Sequence, residues 1–518
     1  MNPRIIGELR QMMVTQKVVI AVAVVQTATC SLAALSPRAS GPNPVTFTNA
    51  PWDWREARLG ALPDPAKVRG NPLVEEHGWH YGLAVLTPGG KSLWLDGRFG
   101  PEFEDLVDAH VTDVGLQYDY AFSPDGKHLA YGARQAGKCL MVLDGKPDQA
   151  ADDVNRPTFS PDGRHLAYVM ERQGKASLVL DSVPGPASDG VCGQISFSPD
   201  SRRIAYVVRH GKEYCLVVDQ KEQRDWPAPG DPVFSPDSKH IGYTSIKGFA
   251  VLDGVKGSQF PANTCWGPVF SPDSRHFAYI IGDRTREERQ TMAFVDWRPL
   301  PLPNSGKGVW HVVFGRDLKR WACVMQTGNK QQVVSDGRPG PMFDSAWGLT
   351  FSPDGARLAY MAQVKTNWWM VIDGKLEAEI ELGVSGPCFS TDGKRLAYIA
   401  GRGPKWRMVV DGKPGPEYQG TREHVRGIVS GEQELPGLTS PRFSPNSRHI
   451  AYGTRQGGKW VVLLDHEAVG GRYDMIVGDG PSFHEDGSLE FLATRQGVLY
   501  RVVGKRMSQE AEPRTSKP

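Results

Sequence analysis

The chain runs to 518 residues, with 23% charged and 40% apolar side chains and a net charge of +2. These totals fit a soluble chain long enough for several domains or one long repeat array, and they exclude a global field that would argue for nucleic acid or a membrane surface. The 58 Gly and 40 Pro predict many turns between short strands, an all-β composition.

At the N-terminus, Arg4, Arg10 and Lys17 precede the apolar run Val18 to Val25, and small residues follow to Ala34. This order predicts a secretory signal peptide over residues 1–33, cleaved after Ala33, and so a periplasmic or secreted protein. Cys30 raises the alternative of a lipidated anchor, which Thr27 and Thr29 fit poorly. The apolar run is too short to cross a bilayer, and no later segment is long and apolar enough to do so. Six cysteines remain beyond Cys30: Cys139, Cys192, Cys215, Cys265, Cys323 and Cys388. They form no CxxC pair, which weakens a structural zinc reading, and free buried thiols are expected.

Residues 34–69 form an N-terminal segment from which a strand is expected to close a ring. From residue 70 the chain repeats. A motif reading Phe-Ser-Pro-Asp-Gly-basic-His-Leu-Ala-Tyr places its Phe at 122, 159, 197, 234, 270, 351, 389 and 443. Degenerate copies start at Phe314 and Phe483, and another aligns at Val74. Between Arg156 and Gln194, a strand ends at Ser160 and Pro161-Asp162-Gly163 turns the chain. A second strand runs from His165 to Met170, Arg172 to Lys175 is a hairpin tip, and a third strand ends at Asp181. A short fourth strand leads to the next copy. Four antiparallel strands in one period make a propeller blade. Asp ends the third strand at ten places (96, 144, 181, 219, 253, 296, 336, 373, 411 and 465), and Asp-Gly there is tight-hairpin chemistry.

The strings FSPDGKHLAY (122–131), FSPDGRHLAY (159–168) and FSPDGARLAY (351–360) resemble the TolB-like, WD-repeat-like propeller repeat of bacterial envelope and secreted proteins, over residues 70 to 503. Residues 35–70 are too few for the α/β domain that precedes the propeller in TolB, so the resemblance is to the repeat and not to TolB itself. Eleven copies exceed the usual four to eight blades of one ring. Two tandem propellers are therefore expected, over 70–300 and 301–506, with the Pro-rich stretch 298–308 as their seam and 507–518 as a disordered tail. One large ring is the alternative.

Catalytic motifs are absent: there is no GxSxG elbow, P-loop or HExxH. His80, His128, His165, His240, His276 and His449 share one repeat position, with Arg203, Arg320, Arg357 and Arg395 at the same position elsewhere. One His per blade does not converge on a metal, and Arg has no lone pair to give, so pairing with neighbouring turn carboxylates is expected. No cofactor or metal is predicted.

The topology gathers the Pro-Asp-Gly and Asp-Gly turns on one face and the hairpin tips on the other. The tips repeat a basic pattern: Arg134 and Lys138, Arg172 and Lys175, Arg209 and Lys212, Arg402 and Lys405, Arg455 and Lys459. They are the candidate partner-binding residues, for an unknown protein or an anionic envelope polymer, against the plainer reading of a solvated rim. Trp368, Trp369, Trp406 and Trp460 are expected to pack between blades. The irregular inserts 283–290 and 418–440 are further candidates for partner contact. The expected function is an exported, non-catalytic binding scaffold. The alternative is a hydrolase or lyase acting on peptide or glycan at a propeller channel.

Overall fold

A computed structural model gives the fold. It describes residues 45–506 apart from 50–51, 65–66, 75–78, 108, 113–114, 119, 224–228, 246, 261–263, 284–289, 304–307, 381–385, 403–404, 420–437 and 479. The expectations for residues 1–33, Cys30 and 507–518, and for most of the two inserts, lie outside the described residues.

Each repeat copy folds as one antiparallel sheet. Nine sheets have four strands in chain order, one has five and one has six, giving an eleven-blade propeller. In blade 3 the strands are Asp153–Phe159, Leu166–Arg172, Lys175–Leu180 and Val183–Pro184. First strands of neighbouring blades contact one another, so they lie innermost, around the ring axis.

The second strands explain the Leu-Ala-Tyr signature. Successive strand side chains point to opposite faces, and here both faces are buried. Leu166, Tyr168 and Met170 pack against blade 2 with Cys139 and Met141, while Ala167 and Val169 pack against blade 4 with Tyr206 and Val208. A strand buried on both sides reads as a continuous apolar run rather than an alternation. Burying one Val or Leu contributes about 1.5–3 kcal/mol, so these inter-blade clusters outweigh the surface ties described below. The signature Tyr residues 168, 206, 243, 279, 360, 398 and 452 are at most 2% exposed. Their hydroxyls reach polar groups where these are in range, as Tyr168 does in donating to Asp148 at 2.8 Å.

Ring closure departs from the two-propeller expectation. The Pro-rich stretch is no linker. Leu300 and Leu302, in a tight turn where the Leu302 amide donates to Leu300 O at 2.8 Å, join a core cluster that fuses Ile280 and Ala293 of blade 6 to Trp321, Cys323 and Val334 of blade 7. Another cluster joins Leu83, Val85 and Trp94 of blade 1 to Val477, Leu492 and Leu499 of blade 11. Packing is therefore continuous from blade to blade, and the eleven blades close as one ring.

Closure uses both ends of the described chain. Strand Trp52–Ala61 pairs antiparallel with Val498–Arg506, from Trp52 opposite Arg506 to Ala61 opposite Val498, and supplies the fourth strand of blade 11. Strand Val45–Asn49 adds a fifth beyond it. Because the fourth strand arrives from elsewhere, blade 11 needs no Asp-Gly turn. Gly504 stands opposite Leu489 instead, with the Trp54 ring where a Cβ would fall.

Candidate partner-binding face

Three constellations recur around the ring, and they determine which side chains are left to meet a partner. The first holds the Pro-Asp-Gly turns. Ser160 Oγ donates to Asp162 at 2.6 Å and accepts the His165 amide at 3.0 Å. In the equivalent turns Asp200, Asp237 and Asp273 are held below the usual carboxylate range, first by the hydroxyls of Ser198, Ser235 and Ser271. Where Gly is replaced by Ser, at 201, 238, 274 and 447, the Ser keeps a positive φ of 59 to 64°. Its hydroxyl accepts a backbone amide from the preceding blade, as Ser201 does from Asp162 at 3.0 Å and Ser238 from Asp200 at 3.0 Å.

The second constellation involves the shared His or Arg. Its partner is the Asp that ends the third strand, brought beside it by strand pairing. His128–Asp144 and His165–Asp181 lie at 2.7 Å, Arg203–Asp219 at 3.1 Å and Arg320–Asp336 at 2.8 Å. The carboxylate of the adjacent Pro-Asp-Gly turn is taken up by its own Ser. The same side chains lie over the motif Phe of the next blade. His80 stacks on Phe122 with ring centroids 5.3 Å apart, and the guanidinium of Arg203 sits 5.1 Å from the Phe234 ring centre. Arg320 over Phe351 and Arg395 over Phe443 repeat this at 5.2 Å. His and Arg interchange at this position because both carry a flat, donor-bearing group.

The third constellation lies on the hairpin-tip face. Lys138 pairs with Asp152 and Lys175 with Asp189, both at 2.6 Å, and Lys405 pairs with Glu417 at 2.8 Å. Lys330–Asp344 and Lys459–Asp474 are closer still. The same acids accept backbone amides from the next blade's tip: Gln173 on Asp152 at 2.7 Å, Gly211 on Asp189 at 2.6 Å, Gln496 on Asp474 at 2.7 Å. The Lys175 ammonium beside Asp189 holds that carboxyl down at about 2. The clamps through Asp152, Asp189, Asp344 and Asp474 tie one blade's Lys to the next blade's hairpin, whereas Lys405–Glu417 stays within its blade.

Of the ten candidate tip residues, Lys138, Lys175, Lys405 and Lys459 are therefore neutralised in place. Arg172 donates to Ala150 O at 2.6 Å and Arg209 to Asp189 O at 2.8 Å. Arg134, Lys212 and Arg455 are exposed, and among the described residues none of them is ion-paired. The Arg402 side chain lies outside the described residues. The Lys-to-Asp spacing of 14 residues in 138–152, 175–189 and 330–344 is a signal in the sequence from which the clamps could have been found.

Two places around blade 11 break the pattern. Where it meets blade 10, Glu56, 3% exposed, accepts Tyr473 Oη at 2.8 Å and both Arg495 Nη groups, Nη1 at 3.3 Å; the other is the seam with blade 1. On the turn face, Arg501 bridges two pairs. It lies 3.5 Å from Asp96, itself 2.5 Å from His80, and 3.3 Å from Glu490, itself 3.0 Å from His484. Trp79 stacks on His484 at 4.1 Å. His80 and Asp96 hold the repeat's His–Asp positions, but Arg501, Glu490 and His484, which extend the pair into a network, depart from the motif and were not foretold by it.

Among the described residues no group of three or more His, Cys, Asp or Glu is placed to hold a metal ion, and no helix is long and apolar enough to cross a membrane. Cys139, Cys192, Cys215, Cys265, Cys323 and Cys388 are all free, and burial pushes the Cys265 thiol up to about 11. Trp406 and Trp460 are buried between blades and Trp368 packs there in part. Trp347 is 36% exposed.

No family model matches the chain, and no curated protein matches it. Among solved structures it is similar to a eukaryotic initiation factor, at 10% identity over 84% of this chain and 100% of that one, with a TM-score of 0.39. It is similar to TolB from Acinetobacter baumannii at 13% identity, over 52% of this chain and 78% of that one, with a TM-score of 0.23. The Dos1 propeller matches at 10% identity, over 86% and 94%, with a TM-score of 0.28. The propeller assignment rests on the strand pairing of this chain, and TolB and other propellers are among the structures it is similar to.

Proposed function

We propose that the chain is an exported binding scaffold that holds a protein or an envelope polymer on its hairpin-tip face. The carrying observation is the clamp series. It ties blades 2, 3, 7 and 10 to the tips of the blades that follow them and uses up most of the tip lysines, while Arg134, Lys212 and Arg455 stay exposed on a pre-organised surface. Rigid presentation lowers the ordering cost of binding, and unpaired cations steer an acidic partner. The leader-like segment 1–33 supports export, with the partner in the cell envelope or outside it.

The test is capture from envelope extract by the mature protein and by an Arg134→Ala/Lys212→Ala/Arg455→Ala variant, with ionic strength varied. Capture that weakens in the variant and with salt supports the reading. Equal capture by both removes it. The second reading, a hydrolase or lyase acting on peptide or glycan, draws on the seam, where His80, Asp96, Arg501, Glu490 and His484 converge. Each of these groups is already engaged by another, which favours a structural role.

A further inference from the structure

Trp266, Trp310 and Trp347 occupy one register position on the first strands of three consecutive blades, opposite Ile280, Val324 and Met361. Each precedes a residue with positive φ: Gly267 at 94°, His311 at 46° and Gly348 at 70°. The strand bulges there, so the position is offset from the flat ladder on the innermost strand of the blade. At blade 8 the indole is left open. Trp347 is 36% exposed, although burying so large an apolar side chain would be favourable. Its ring stands edge-on to Trp368 at 6.1 Å, and Trp368 is anchored in the core between blades 8 and 9. Gly348 adds no side chain beside it.

The surroundings are polar and uncharged. Ser345 donates to Gln331 Oε1 at 3.3 Å, and the Ala346 amide does so at 2.7 Å. Thr350 and Gln363 donate to backbone carbonyls. Asp344, three residues before Trp347, is held in a clamp with Lys330 and also accepts the Lys365 amide at 2.6 Å. A rigid open indole ringed by amides and hydroxyls, with its charges neutralised, suits a neutral ligand that has one apolar face and many hydroxyls.

From this we infer that the inner wall of blade 8 is a stacking site for a neutral glycan, with Trp347 as its anchoring ring. The inference rests on the scaffold reading and narrows the held polymer to an uncharged polysaccharide at this wall, separate from the cationic tips. The experiment uses the full mature chain and neutral β-linked gluco-oligosaccharides of six sugars. Binding is followed by calorimetry and by tryptophan fluorescence for wild type, Trp347→Ala, Trp347→Phe and the tip variant Arg134→Ala/Lys212→Ala/Arg455→Ala. Wild type and the tip variant are expected to bind alike. Trp347→Ala should weaken binding several-fold to about tenfold, the loss of one stacking ring, with Trp347→Phe intermediate. Thermal unfolding like that of wild type shows that each variant is folded. Absence of glycan binding by wild type, or equal binding by Trp347→Ala, overturns the inference. So does binding confined to an anionic polymer and lost in the tip variant, an outcome that leaves the tip-face reading standing.

Discussion

Asp181 Oδ2 lies 2.7 Å from His165 Nδ1, while its Oδ1 accepts the Leu166 amide at 3.0 Å. One carboxylate thus ties the end of the third strand to the start of the second, and it does so at φ 49°, a left-handed conformation that Asp and Asn tolerate better than most residues. Asp181→Ala removes both bonds and leaves a strained Ala, an expected loss of about 2–3 kcal/mol. Asp181→Asn keeps the Oδ1 acceptor and the tolerated φ and should cost about 1 kcal/mol. Hydrogen exchange at the Leu166 amide and urea denaturation read the two effects. Equal losses for Ala and Asn would show that the side-chain bonds carry nothing.

The His/Arg position gives a sharper test. Arg203 donates to Asp219 and lies over Phe234. Arg203→Lys keeps the charge but loses the flat group and the directed Nε bond, an expected cost of about 1 kcal/mol. Arg203→His restores a planar donor and should stay within about 0.5 kcal/mol of wild type. If Lys is tolerated as well as His, charge alone accounts for the position.

The tip clamps predict a defined acid response. Asp189 is held at about 2, first by its bond from Lys175, well below the ordinary carboxylate value near 4. A group whose folded pKa is depressed adds stability above its unfolded pKa and loses it as pH falls toward the folded value. The melting-temperature gap between wild type and Lys175→Gln should therefore be constant from about pH 7 to pH 5 and close between about pH 4 and pH 2. Lys175 stays charged throughout, so a gap that persists to the lowest pH would place its contribution outside the Asp189 pair.

Blade count and blade architecture were legible because Phe159, Pro161, Gly163 and Tyr168 carry local chemistry: turn geometry and two-sided burial recur at each copy and need no knowledge of distant residues. Ring closure was not legible to the same degree. Whether Leu300 and Leu302 link two domains or fill a core depends on what stands beside them, and Trp321 arrives from a later stretch of chain. Among the tip cations, the 14-residue spacing from Lys138 to Asp152 and from Lys175 to Asp189 carried the neutralisation in the sequence, but only the fold shows that those acids also hold the next blade's tip. Trp347 looks like Trp406 and Trp460 in sequence. It differs in being on a first strand at a bulge, where it stays 36% exposed.

Ser238 offers a test of strain against hydrogen bonding. It holds φ 64° and accepts the Asp200 amide at 3.0 Å from the preceding blade. Ser238→Ala loses the bond and keeps the strain, an expected cost of about 1 kcal/mol. Ser238→Gly loses the bond but relieves a left-handed penalty of about 1–2 kcal/mol, so it should unfold within a degree or two of wild type or above it. Gly already occupies the equivalent positions 126, 163, 355 and 393. A Gly variant less stable than the Ala variant would mean that backbone entropy outweighs strain at this turn.

Glu56 carries the largest single expectation. Its carboxylate is nearly inaccessible and joins the N-terminal strand to Arg495 and Tyr473, residues more than 400 positions away along the chain. Removing Glu56 breaks its bonds to Tyr473 and Arg495 and empties a buried site, while the Arg495 guanidinium, one-third exposed, stays in reach of water, an expected cost of about 2–4 kcal/mol. Glu56→Ala should therefore free strand Trp52–Ala61 from Val498–Arg506, seen as faster hydrogen exchange in both strands and new protease cleavage near residue 60, while blades 3 to 5 keep wild-type protection. Glu56→Leu with Arg495→Leu replaces the pair by packed apolar groups and should recover a good part of the loss. Tyr473→Phe removes one bond to the carboxylate and should cost about 1–2 kcal/mol. If Glu56→Ala leaves exchange in Val498–Arg506 unchanged, closure depends on the strand ladder and the packing of Trp52 and Trp54 rather than on the ion pair.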